Sequence, residues 1–511
     1  MPVARAQSAS VFGVSAFPVE VEVNLAPGVF AYATVGLPDT AIRESQERIL
    51  AAIANAGFEC PVKRITVNLA PADVRKEGAA FDLPIALGIL QADGILDADL
   101  ADSMFFGELA LDGRVKPVRG IISLALLARD RGVARIVVPA ENAEEAAVAE
   151  GVTVIGVDSL PQVVEYLSGK LALTPTTIHA PSLFAQGIGA GYDDDFADVK
   201  GQGHVKRALE VAAAGGHNAL LIGPPGSGKS MMAKRLPTIL PDITYDEAVE
   251  TTRIHSVSGK LEGRRALVVR RPFRSPHHTI SDAGLIGGGT TPIPGEVSLA
   301  HNGVLFLDEL PEFRRNVLEV MRQPLEEGTV TISRAAMSVT YPCRFMLLAA
   351  MNPCPCGYYT DPDKECGCTG HMIRKYRSRI SGPLLDRIDL HVEAPAVKYQ
   401  QMMESPPGES SAAIRARVNR ARDIQLARFA GSGIYANARM GNKETRKHCV
   451  LDEPSRQLLK TAVDRLGLSA RAHEKILKVA RTIADLAGKE KIEAMHLSEA
   501  VQYRSLDRDN L

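Results

Sequence analysis

No run of 18 or more apolar residues occurs in this chain, so no membrane-spanning helix is expected. The opening stretch, MPVARAQSASVFGVSAF, is broken by Ser and Gly and lacks a sustained apolar core, which makes it a poor secretory leader. An excess of one charge is missing too: the 511 residues carry a formal net charge of −1. That argues against a wholesale basic nucleic-acid binder and leaves room for a local basic surface. Cysteines are few and odd in number, seven in all, with four in one stretch. A reducing, cytoplasmic setting fits that pattern better than a secreted disulfide framework. Internal repeats and long low-complexity segments are absent as well. What remains is ordinary globular composition, 45% hydrophobic and 23% charged. It is enough for about two to four domains.

Three blocks are expected, giving an α/β protein. Residues 1–172 alternate strand-like and helical patterns: VEVEVNL and RITVNLA have period two, and TAIRESQERILAAIANAG has helical spacing, with Thr40 as the expected N-cap. A Pro-, Gly-, Thr- and Asp-rich linker covers 173–195. Residues 196–395 form the second block, and 396–511 are helical throughout.

The second block carries the chemistry. ALLIGPPGSGKSMMAKRL reads as an apolar strand, a Gly-rich loop and a helix, and Gly223 to Ser230 match G-x-x-x-x-G-K-S in full. The loop Gly223, Pro224, Pro225, Gly226, Ser227, Gly228, Lys229 and Ser230 would wrap backbone N–H groups around the phosphates of ATP, aided by the helix N-terminus. Lys229 would reach the β- and γ-phosphates, and Ser230 would ligate Mg²⁺. GVLFLDEL delivers two acids to the end of a buried parallel strand. Asp308 would hold Mg²⁺ through water, and Glu309 would orient the attacking water. RFMLLAAMN ends in Asn352, a polar tip on a strand expected between the other two.

Other stretches are ambiguous when read alone. Residues 253–279 hold seven Arg/Lys, three His and a single acid, Glu262; a solvated loop is the bland reading. His277 and His278 either contact DNA or pack and cap locally. Shared metal binding is disfavoured, because neighbours on an extended chain point opposite ways. EEGTVTISRAAMSVTYPCRF reads as a hairpin with its tip near Arg334, Ala335 and Ala336. NPCPCGYYTDPDKECGCTG holds Cys354, Cys356, Cys366 and Cys368. Four thiolates on a structural Zn²⁺ would hold this loop; a redox switch and free thiols in a turn are the alternatives.

These features resemble the AAA+ ATPases, with Gln202 in the entry motif of DFADVKGQGHVKRALEVAAAGGHNALLIGPPGSGKS. SGPLLDRIDLHVE is similar to the magnesium-chelatase and minichromosome-maintenance branch. That likeness implies Asn352 as sensor 1, Arg387 as an arginine finger acting on the neighbouring subunit, and Arg471 in LSARAHEKILKVARTIADLAG as sensor 2. Without it, Arg471 reads as a surface salt bridge. PFRSPHHTISDAGLIGGG, NPCPCGYY, RISGPLLDRIDLHVE and SARAHEKILKVARTIADL together resemble the ComM/YifB family over nearly the whole chain. The resemblance implies a hexameric ATP-driven DNA helicase for branch migration in homologous recombination and natural transformation, with single-stranded or branched DNA and a recombinase as partners. It also implies a central AAA+ parallel-sheet domain and a C-terminal helical lid. A pore-facing hairpin and insertion would put Arg334, Arg274, His277 and His278 on DNA, and the four-cysteine loop would be an insertion near the subunit interface. The first block resembles the proteolytic domain of Lon, an α+β fold of the ribosomal S5 domain 2 type, through RKEGAAFDLPIALGIL and GRVKPVRGIISLALLARDRGVARIVVPAENAEEA. Ala80 and Ile122 stand where Lon has its Ser and Lys, so no protease activity is expected.

Three functions compete: a DNA motor, a chelatase-type ATPase subunit driving metal insertion or protein remodelling, and an ATP-dependent protease. The lost Ser/Lys pair weighs against the last. The hairpin and the basic insertion favour the first.

Overall fold

The computed structural model describes residues 3–179, 182–184, 192–261, 266–289, 292–334, 337–359, 361, 363–396 and 408–504. The chain forms two compact units: Met1–Gly187 with Tyr245–Val269, and Ile188–Thr244 with Arg270–Leu511.

The first unit is built on a seven-stranded mixed sheet. Its strands are β1 (Ala4–Phe12), β2 (Ser15–Ala26), β3 (Ala31–Val35), β4 (Arg64–Ala70), β5 (Ser103–Phe105), β6 (Arg135–Pro139) and β7 (Thr153–Val157), in the order β3-β4-β2-β1-β5-β6-β7. The period-two pattern of β2 turns Val19, Val21, Val23 and Leu25 into the core. Helix α1 (Thr40–Asn55) is capped by Asp39 and not by Thr40: the Asp39 carboxylate accepts from the Ile42 N–H at 2.8 Å, three residues on, as an N-cap acceptor must. Helix α2 (Asp82–Ala92) is buried from Asp82 through Leu90. Ala80 sits in the short turn Ala79–Phe81, its carbonyl accepting from the Gly107 N–H at 3.0 Å. Ile122 lies fully buried in the first turn of α3 (Ile121–Asp130). Neither side chain offers a nucleophile or a base. The helix Tyr245–Val257 also belongs to this unit, where its Ser256 hydroxyl donates to the buried Glu145 carboxylate.

The second unit holds a five-stranded, wholly parallel sheet. Its strands are β8 (Ala219–Ile222), β9 (Phe273–Arg274), β10 (Val304–Leu307), β11 (Met346–Met351) and β12 (Leu390–Glu393), in the order β9-β10-β11-β8-β12. Residues of β8, β10 and β11 are buried without exception, as expected of parallel strands covered on both faces. Helices α4 (Gly203–Gly215), α5 (Ser411–Arg428) and α6 (Ala470–Leu486) share one apolar core with that sheet. This is an AAA+ module with helices toward its C-terminal end. Among the described residues, no helix is long and apolar enough to cross a membrane.

Candidate functional site

The phosphate loop leaves the end of β8 and enters the helix Lys229–Arg235. Gly226 and Gly228 take φ of +79° and +82°, the left-handed region that side chains resist. Gly223 is also required, since a Cβ there would stand 2.0 Å from the Ala394 carbonyl oxygen. Gln202 holds the loop from outside, its amide donating to the Ser227 carbonyl at 3.3 Å and the Pro395 carbonyl at 2.6 Å.

Lys229 Nζ donates to the carbonyls of Gly223 (2.8 Å) and Pro224 (2.9 Å) and to Oδ1 of Asn352 (3.3 Å). Burial pulls this amine down to about 8, against the upward pull of Asp308 and Glu309. Ser230 Oγ donates to Asp308 Oδ2 at 2.6 Å. Because β11 lies between β10 and β8, the sheet brings the Asp308-Glu309 and Asn352 strand tips beside the phosphate loop. The open glycine cradle, the inward amine and the Ser230–Asp308 pair fit a nucleotide triphosphate with Mg²⁺. Glu309 is 59% exposed on its side chain and takes a left-handed φ of +51°, so its carboxylate is accessible. His278 Nδ1 lies 3.6 Å from that carboxylate.

The His277 and His278 rings lie side by side, centroids 4.1 Å apart and planes tilted by 34°, and do not point opposite ways. The chain at this point is not a strand and turns at 278–279, which removes the alternation. Both rings have local contacts: His277 Nδ1 is 2.9 Å from Thr279 Oγ1, and His278 meets Phe313 edge-on. Arg274 forms a two-point ion pair with Glu296, at 2.5 and 2.8 Å. The hairpin is present as Thr329–Arg334 paired with Met337–Pro342, placing exposed Arg334 opposite Met337 beside the turn. Ala335 and Ala336, at its tip, lie outside the described residues. Arg334 Nε donates to the Gly289 carbonyl at 3.3 Å.

Arg387 donates to the Pro383 carbonyl at 2.6 Å and forms an ion pair with Glu326. The Glu326 carboxyl is held below its ordinary range, first by the Arg387 hydrogen bond and more weakly by Arg471. Glu326 is thus the ion-pair partner of the finger candidate, a residue that sequence reading had not singled out and that no local pattern marks. Close by in the chain, buried Asp389 pairs with Lys475 on α6 and accepts from the Asn218 N–H at 3.0 Å. Burial alone would raise the Asp389 carboxyl, but Lys475 and His217 together hold it well below the ordinary range.

The sulfurs of Cys354, Cys356, Cys366 and Cys368 lie within 4.8 Å of one another. Among the described residues they form the one cluster of three or more metal-ligating side chains. All four are free thiols.

Fold and phosphate loop together define an AAA+ P-loop protein. Three family models match: "Magnesium chelatase, subunit ChlI" over residues 195–402, "Subunit ChlI of Mg-chelatase" over 21–142, and "Magnesium chelatase, subunit ChlI C-terminal" over 408–504. Competence protein ComM of Haemophilus influenzae is 44% identical over 511 residues, covering 99% of this chain and 98% of the relative. The uncharacterized protein YifB of Escherichia coli is 44% identical over 499 residues, covering 97% and 96%. Its namesake in Salmonella typhimurium is 43% identical over 513 residues, covering 99% and 98%. The chain belongs to the ComM/YifB family of magnesium-chelatase-like proteins.

Proposed function

We propose that the chain is an ATP-hydrolysing motor that assembles as a ring of six and drives branch migration of DNA in homologous recombination and natural transformation. The observation that carries this reading is the joining, in one unit, of a phosphate-loop site to a hairpin that carries exposed Arg334 at the end of one strand. The name of the Haemophilus relative, a competence protein, supports the same direction.

Lys229 and the loop N–H groups bind the β- and γ-phosphates. Ser230 and Asp308 hold Mg²⁺, which supplies charge neutralisation at the phosphates. Glu309 orients the attacking water, Asn352 fixes its position, and Arg471 contributes charge from the lid. Arg387 acts on the neighbouring subunit's nucleotide, which makes hydrolysis depend on assembly. Arg334 contacts the DNA backbone, with His277 and His278 as neighbouring contacts. Arg274, engaged with Glu296, positions that insertion. The first unit, read as a Lon-like fold without protease chemistry, serves ring assembly or DNA guidance. A recombinase is the expected protein partner, in a cytoplasmic setting.

The test is ATP turnover with and without forked DNA, in low salt, followed by branch migration of a synthetic three- or four-way junction. The reading fails if DNA neither binds nor stimulates. A second reading, an ATPase subunit for metal insertion or protein remodelling, is favoured by the descriptions of the matching family models. It predicts turnover indifferent to DNA.

A further inference from the structure

The four-cysteine loop follows sensor-1 candidate Asn352 directly and returns to the helix Gly370–Arg377. Three sulfur pairs are close: Cys354–Cys356 at 3.3 Å, Cys356–Cys366 at 3.6 Å and Cys354–Cys366 at 3.7 Å. A tetrahedral zinc with Zn–S bonds of about 2.3 Å sets sulfur–sulfur spacings of about 3.8 Å. The observed spacings fit one metal. A two-iron cluster would spread its thiolates over two metals, which four sulfurs inside 4.8 Å do not match. A disulfide is excluded by distance, since its bond is about 2.05 Å. Backbone geometry around the cluster is that of a ligand turn: the Tyr359 N–H donates to Cys354 Sγ at 3.3 Å, and the Gly357 N–H to the Cys354 carbonyl at 3.0 Å.

The loop is also seated on the nucleotide pocket. Gly357 has φ +86°, and a Cβ there would stand 2.6 Å from Cδ of Pro225, inside the phosphate loop. Pro353, between Asn352 and Cys354, accepts from Arg377 Nε at 3.1 Å, and the Arg377 guanidinium covers the Tyr359 ring. The segment from Asn352 to Tyr359 is therefore held at three points: Lys229 on the Asn352 side chain, Arg377 on the Pro353 carbonyl, and Pro225 against Gly357. The cysteine cluster is the fourth, and it joins the returning segment, Cys366 to Cys368, to this wall.

We propose that Cys354, Cys356, Cys366 and Cys368 bind one zinc ion, and that this zinc braces the wall formed by Asn352 and Pro225, making nucleotide affinity dependent on the metal. The proposal deepens the nucleotide-site reading and rests on it, but not on the DNA reading.

The test begins with metal content. Protein purified from zinc-replete cells is expected to carry one zinc per chain. Apoprotein reloaded with Co²⁺ is expected to show the visible bands of a tetrahedral cobalt thiolate. Affinity for a fluorescent ATP analogue is then measured on zinc-loaded, apo and variant protein. Removing zinc, or substituting Cys356→Ser with Cys366→Ser, is expected to weaken binding roughly tenfold, as expected for a misplaced positioning wall. Gly357→Ala is expected to keep the zinc and still weaken binding, because the added methyl meets Pro225. Lys229→Ala serves as the control for the pocket itself. Zinc well below one per chain, or no cobalt thiolate spectrum, overturns the site. Full zinc with unchanged affinity after its removal overturns the brace. If Lys229→Ala leaves nucleotide binding intact, the nucleotide-site reading fails instead.

Discussion

Lys229 Nζ donates to Oδ1 of Asn352 across 3.3 Å, from the phosphate loop of one strand to the tip of its neighbour. The same amine is buried and drawn down to about 8. Its protonation therefore reports on nucleotide binding. Near pH 8 the free protein carries Lys229 partly deprotonated, whereas phosphate oxygens favour the charged form. Binding should take up a fraction of a proton, about half at pH 8. Uptake falls toward zero below about pH 7, where the amine is already charged. Calorimetry of nucleotide binding in buffers of differing ionisation enthalpy measures this, and an uptake independent of pH contradicts it. Lys229→Ala should lose nucleotide binding.

Glu309 is exposed at the strand tip, while Asp308 is tied to Ser230. Glu309→Gln should bind ATP normally and slow hydrolysis by about 10²-fold or more, the scale of a lost proton-handling group. Asp308→Asn should instead raise the Mg²⁺ concentration needed for turnover. Full turnover in Glu309→Gln would remove Glu309 from its role.

Arg387→Ala should reduce hydrolysis by about 10³-fold if the guanidinium serves a neighbour's site. Subunits with Arg387→Ala have complete pockets, and subunits with Glu309→Gln have complete fingers. Mixing the two inactive variants should restore turnover. No recovery at any ratio would place Arg387 in its own subunit's chemistry.

Asp389 is buried, and Lys475, half-buried on α6, is its ion-pair partner. Asp389→Asn leaves Lys475 unmatched and should cost about 3–5 kcal/mol in chemical denaturation. The depressed carboxyl also sets a pH signature. Its stabilisation is fully present above the unfolded value of about 3.9 and is lost as pH falls toward the lower folded value. The variant should show a flatter acid limb than the parent below about pH 4.

Arg334→Ala should weaken DNA binding whatever the sequence and lower the salt slope by about 0.7–0.9, one phosphate contact's share. Fluorescence anisotropy over a salt series measures both. An unchanged slope would assign Arg334 to its Gly289 contact alone.

Much of the site was legible because it is written in contiguous residues. The phosphate loop follows from fixed spacing. The Asp308-Glu309 pair follows from four apolar residues closed by two acids, and Asn352 from a third strand of that kind. The cysteines were visible as two C-x-C pairs. What sequence left unread are partners chosen by tertiary packing. Nothing in EEGTV marks Glu326 as the counter-ion of Arg387. Nothing near Arg274 marks Glu296, and the bond between Thr238 and Ser411 joins residues far apart in the chain. The closeness of His277 and His278 is not legible from period-two alternation, because the chain turns there. The seating of Gly357 on Pro225 is a tertiary contact, and a glycine's neighbours leave no trace in local periodicity.

The helix Tyr245–Val257 has a consequence for how this protein is dissected. The chain passes between its two units three times, after residues 187, 244 and 269. Cutting at 187 would not divide it cleanly. A fragment beginning at 188 would carry this helix with Ala248, Thr251, Thr252, Ile254 and Ser256 stripped of their cover. The complementary fragment would lose the Ser256 hydroxyl from Glu145, a carboxyl that burial already pushes up. A deletion phenotype obtained that way would report on two damaged surfaces. A loop replacing 245–269 in one piece, with those residues grafted onto the other, would be the cleaner separation.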